Sequence, residues 1–236
     1  KNYHEEVNAI IDNADKLKKY SIFNKAGSFS YANILQTARD FERVKNVILP
    51  EDEYKGVQAY TTYYYQYFFT MLVMMFVIYD MFAQRDNGMW SITYSCANGR
   101  IMYAIKQTGV IVVTGAFTHT LIYWSTFIAA MLQRGGVRDL VNPVQTIETF
   151  DKFTYPWSKI KYVTVLYLIS MVCIVALCIT IWGVFVMFRN RVYALVTMLI
   201  FAAVEQFIYS HIDIHSVWNG LHYINIINII NINATF

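Results

Sequence analysis

The chain has 236 residues, of which 56% are hydrophobic, 17% aromatic and only 15% charged; with a mean hydropathy of +0.34 it is too apolar for a soluble domain. Its net charge of +3 is too small to support a nucleic-acid partner. Cys96 sits in a polar segment and Cys173 and Cys178 in an apolar run, a spacing that gives neither a disulfide framework nor a metal site.

Residues 1–58 form a region apart. Val7, Ile10, Ile11, Ala14 and Leu17, then Ile34, Leu35, Ala38, Phe41, Val44, Val47 and Ile48, recur at helical spacing among Lys, Asp and Glu. That periodicity predicts two amphipathic helices forming a hairpin. Lys25 to Ser28 supply the turn, Ser28 or Ser30 the N-cap of the second helix, and Pro50 its end.

Four charge-poor runs follow: Gly56–Gln84 with Asp80 alone, Gln107–Gln133, Tyr162–Phe188, and Val192–Ile212 with Glu205 alone. Each approaches or exceeds the roughly 20 residues that a helix needs to cross about 30 Å of hydrocarbon. They are too long and too uniformly apolar for the strands of a membrane barrel. The predicted fold is therefore an all-α polytopic membrane protein, with spans at 59–83, 107–132, 162–188 and 192–211 in a membrane domain of 59–212. The chain reads as a fragment missing a span at each end.

Between the first two spans lies YDMFAQRDNGMWSITYSCANGRIMYAIKQTG, residues 79–109. A hairpin between spans needs only a few residues, so this insert is more than a linker. Asp80 to Ser95 is expected to be a short surface helix, with Met81, Phe82, Met89, Trp90 and Ile92 toward lipid or neighbouring spans and Gln84, Arg85, Asp86 and Asn87 toward water. Asn98 and Gly99 make a turn before Arg100 and Lys106 open the next span. Lys and Arg are evenly divided between the two faces, Arg85, Arg100, Lys106, Arg189 and Arg191 opposing Arg134, Arg138, Lys152, Lys159 and Lys161. The compact Arg189-Asn190-Arg191 loop, and the acids Asp139, Glu148 and Asp151 in the second loop, favour placing the first and third loops inside.

The pattern of Arg85, Asp86, Gly88, Ser95, Gly99, Arg100 and Lys106 resembles the cytoplasmic loop of permease subunits of ATP-binding-cassette transporters of the type-2 exporter-like class. Arg85-Asp86-Asn87 stands where that family usually has a Glu before the glycine. The resemblance implies a multi-pass protein of the bacterial plasma membrane, surrounded by lipid and paired with a second, identical or homologous permease. It further implies that residues 1–58 are the outside domain and that the insert is a coupling helix, with Arg85, Asp86, Gly88, Trp90, Gly99 and Arg100 meeting a separate ATPase subunit. No GxxxxGK[ST] occurs in the chain, so ATP would be hydrolysed on that partner and no enzymatic activity, cofactor or metal is expected here.

Polar residues within the spans have two readings. Thr118, His119 and Ser125, with Thr114 and Thr120, either line a translocation path or hold helices together, the latter helped by small residues at Gly109 and Gly115. Glu205 costs roughly 2.5–3.5 kcal/mol at the centre of a span on insertion scales, which calls for a partner or a polar cavity. A non-transport scaffold or sensor is the alternative function. Phe207 to His211 and His215 to Asn219 also resemble two motifs of intramembrane prenyl proteases, and His211, Asp213 and His215 are potential metal ligands; the EExxxR motif of that family is absent. Residues 213–236 are expected to be an interfacial or outside segment, with Asn225, Asn228 and Asn231 as a polar stripe on a helix.

Overall fold

The computed structural model describes residues 3–20, 27–50, 55–62, 65–88, 90, 92, 95, 99–134, 136–147, 150, 152–212 and 217–227. Among these every regular element is a helix, joined by turns and irregular segments, with one isolated bridge between Pro143 and Ser158. It divides into two compact units, Lys1–Gln58 with Met131–Val163, and Ala59–Ala130 with Thr164–Thr235.

In the first unit, α1 (Tyr3–Leu17) and α2 (Phe29–Glu42) pack as the hairpin that periodicity predicts. Tyr3, Val7 and Ala14 of α1 and Ala38 of α2 are buried, as is Val44 just beyond α2. Ser28 is the N-cap of α2, its hydroxyl accepting from the Tyr31 N–H at 3.2 Å. The helix ends at Glu42, well before Pro50, because successive 3₁₀-type bonds through Val44 and Val47 already close its last turn.

The second loop belongs to this unit. Two 3₁₀ turns, Val137–Val141 and Val144–Thr146, fold beside an aromatic cluster in which Phe150 meets Tyr162 at 5.0 Å and Phe153 meets Trp157 at 5.5 Å. Gln145, 3% exposed, donates to the carbonyls of Phe153 and Tyr155. Asp139 and Lys159 form a buried ion pair, and the other Asp139 oxygen accepts from the Val57 N–H at 3.4 Å. Arg43 lies over the Tyr155 ring at 5.5 Å, joining hairpin to loop.

Of the remaining helices, α3 (Gly56–Thr62), α4 (Tyr65–Met81) and α5 (Ala83–Asp86) precede the 36-residue α6 (Gly99–Arg134), and α7 (Lys159–Met187), α8 (Arg191–His211) and α9 (Asn219–Ile224) follow it. Among the described residues four segments are long and apolar enough to cross a membrane: Gln66–Arg85, Arg100–Arg134, Lys159–Met187 and Arg191–His211. The buried apolar residues of α4 and its end are Tyr67, Met71, Met74, Met75, Ile78 and Phe82, a one-sided stripe. Ile111 of α6, Ile174, Leu177, Cys178, Ile181 and Phe185 of α7, Ala194, Met198 and Ala202 of α8, and Ile227 complete that core. Gly115 has no room for a Cβ beside the Cys178 sulfur and Met74, so α6 approaches its neighbours closely.

Val110, Val113, Phe117, Leu121, Ile128 and Leu132 leave an exposed apolar stripe along α6, and Val192, Val196, Ile200, Val204 and Phe207 leave one along α8. Apolar surface on that scale requires lipid. The chain is thus an all-α, multi-pass membrane protein.

The span boundaries differ most from those read from charge at the first two spans. Helix α6 begins at Gly99 rather than 107, because Arg100 and Lys106 interrupt the apolar pattern without interrupting the helical hydrogen bonding. At about 1.5 Å per residue its 36 residues reach about 54 Å, beyond the roughly 30 Å of a hydrocarbon core. Ahead of the first span, α3 ends at Thr62 and α4 begins at Tyr65.

Candidate functional site

At one end of the second unit, the end of α4, the helix α5, the start of α6 and the α7–α8 turn come together around Arg85. Its guanidinium donates to the carbonyls of Phe185 at 3.2 Å, Phe188 at 2.8 Å and Arg189 at 2.8 Å. These carbonyls stand at the C-terminus of α7, where helical partners run out and the helix dipole favours a cation. The same guanidinium lies over Phe82 at 5.0 Å and Trp90 at 5.8 Å. The first and third loops therefore meet at the same end of this unit.

This geometry revises the expected surface helix. Asp80 and Met81 continue α4, Phe82 is fully buried, and Arg85 is turned toward α7 rather than toward water. The chain then leaves α5 through Gly88, whose φ of 76° is a left-handed conformation that other residues adopt at a cost. Trp90 is half-buried, its ring 5.2 Å from Phe82 and 5.6 Å from Tyr103. Trp90, Ile92 and Ser95 are helical. The other positions between 89 and 98 lie outside the described residues, as does the side chain of Asp86. Gly99 opens α6, and Arg100 beside it is exposed, as are Ile101, Met102 and Ile105.

Within the spans, His119 is 1% exposed and joins three helices. Its Nε2 is 2.8 Å from the Ser170 hydroxyl of α7 and its Nδ1 is 3.4 Å from the Thr70 hydroxyl of α4. Its ring is parallel to that of Tyr167, whose hydroxyl is 2.8 Å from that of Thr120. Thr70 and Ser170 also bond to the Gln66 and Tyr167 carbonyls of their own helices. Such a satisfied network holds helices together. Thr118 is half-buried, and Ser125 is exposed with its hydroxyl donating to the Ile122 carbonyl, so His119 is the buried member of that trio.

Glu205 finds the partner that its cost demanded. It is buried on α8; one carboxylate oxygen accepts from the Ile226 N–H at 2.9 Å, and its carbonyl accepts from the Asn225 amide at 2.8 Å. Asn225 is 1% exposed and stands where α9 gives way to extended backbone. A break there corrects the continuous asparagine-striped helix for the described part, since Asn225 points into the bundle; Asn228 and Asn231 lie outside the described residues.

Thr70, Ser170, Tyr167 and Asn225 were not singled out by sequence reasoning as partners of His119 and Glu205. Only Asn225 carried a signal, as a polar residue recurring in an apolar tail. Among the described residues no three of His, Cys, Asp and Glu gather as metal ligands; Asp213 and His215 fall outside them. Family models, curated proteins and solved structures give no match to this chain.

Proposed function

We propose that the chain is the membrane-spanning permease subunit of an ATP-driven transporter of the type-2 exporter-like class, working in a bacterial plasma membrane with a separate ATPase subunit and a second permease. The observation that supports this reading is the end of α6. It extends past the length that a bilayer requires and presents Arg100 and Lys106 beside exposed Ile101, Met102 and Ile105. A mixed basic and apolar surface beside the end of a span suits a docked protein partner. The Arg85 clamp would tie the docked loop to α7 and so carry the partner's closure into the spans. His119, satisfied by neighbouring helices, and Glu205, satisfied by the segment after α9, then serve the cohesion of the moving bundle.

Affinity purification from native membranes in mild detergent tests this. An ATP-hydrolysing subunit is expected to accompany the chain. Arg100→Glu combined with Lys106→Glu should leave the inserted amount unchanged and weaken that association about tenfold, equivalent to ~1.4 kcal/mol. Absence of any nucleotide-hydrolysing partner, or equal retention by the double variant, would reject the reading.

A further inference from the structure

Beside the Arg85 clamp is a cleft of about 380 Å³ lined by Tyr79, Arg189, Asn190, Arg191 and Val192. It is a prepared basic surface. Arg85 fixes the turn from within by binding the Arg189 carbonyl at 2.8 Å, and the Asn190 side chain accepts from the Val192 N–H at 2.8 Å. Arg191 is held 4.5 Å over the Tyr79 ring. The Arg189 side chain is exposed, and no acidic residue is among the described residues lining the cleft.

Its place and its flanks specify the occupant. The cleft lies where the apolar run of α7 stops at Met187 and that of α8 starts after Arg191, the level at which a bilayer passes from acyl chain to headgroup. Met187 on one side and Val192, Val196 and Ile200 on the other are exposed and apolar. A free phosphate would use the arginines alone; a phospholipid would use the arginines for its phosphate and these side chains for its acyl chains. We propose that this cleft binds the headgroup of an anionic phospholipid, Arg189 and Arg191 holding the phosphate. The inference does not depend on the transport reading, since it requires only the spans and the cleft.

Native mass spectrometry of the full chain, titrated with phosphatidylglycerol, phosphatidylcholine or inorganic phosphate, tests it. Phosphatidylglycerol is expected to bind in preference to phosphatidylcholine and to resist competition by millimolar inorganic phosphate. Near a bilayer surface each arginine contributes about fivefold to anionic lipid binding. Arg189→Gln, which leaves the Arg191–Tyr79 stack in place, should therefore weaken binding about fivefold, and Arg189→Gln with Arg191→Gln about 30-fold. Arg134→Gln with Lys152→Gln removes the same charge elsewhere and should change nothing. Should the double variant fail to fold, the single variant decides. Equal binding of the two lipids, unchanged affinity in Arg189→Gln, the same loss in the control, or displacement by inorganic phosphate would each overturn the proposal.

Discussion

Asp139→Ala is expected to destabilise the protein by roughly 3–5 kcal/mol, the usual consequence of removing one member of a buried ion pair. Asp139 is 0% exposed and Lys159 is 2% exposed, so the substitution removes the carboxylate that neutralises a buried ammonium group. It also removes the acceptor for the Val57 N–H, loosening the start of α3. For a chain of this size the loss corresponds to a fall in midpoint of order 10 °C, read by thermal unfolding in detergent. Because the desolvation of both charges opposes their attraction, Asp139→Leu with Lys159→Met should recover most of the loss. A double variant as unstable as Asp139→Ala would show that the pair is more than a local electrostatic match.

The second large effect is expected at Arg85. Hydrogen bonds to a charged group are worth about 1.5–3 kcal/mol each. Arg85→Leu removes the bonds to Phe185, Phe188 and Arg189 together, and hydration of the freed carbonyls offsets part of that. A net loss of about 3 kcal/mol follows, together with faster proteolysis at the α7–α8 turn. Arg85→Lys keeps the charge but lacks the fork that reaches several carbonyls at once, so it should recover about half. If Arg85→Leu were as stable as the parent chain while losing the ATPase subunit proposed as its partner, Arg85 would be a docking residue and the clamp incidental.

These two residues show what the sequence conceals. The spans were legible because a charge in hydrocarbon is costly, so a long charge-free run marks a segment that lipid surrounds. The α1–α2 hairpin was legible from its 3.6-residue period, and Ser28 from the preference of N-caps for hydroxyls. Asp139 looked like one more acid of a solvated loop, since its partner is 20 residues away and only tertiary folding buries both. Arg85 looked like an exposed coupling residue because its acceptors are backbone carbonyls about a hundred residues on, and carbonyls leave no mark in a sequence. Glu205 announced its need for a partner through its cost; which atoms meet that need depended on the break at Asn225, which the regular spacing of the asparagines disguised.

The most direct measurement is of sidedness, in a variant whose Cys96, Cys173 and Cys178 are replaced. With Asn87→Cys in the first loop and, separately, Lys152→Cys in the second, a membrane-impermeant thiol reagent is applied to intact cells. Both positions are exposed, so access is governed by the bilayer. A permease driven by an ATPase at the Arg85 end requires Lys152→Cys to react and Asn87→Cys to react only after permeabilisation, since the loop around Arg85 must stand on the side that holds ATP. Labelling of Asn87→Cys in intact cells, with Lys152→Cys protected, would contradict it.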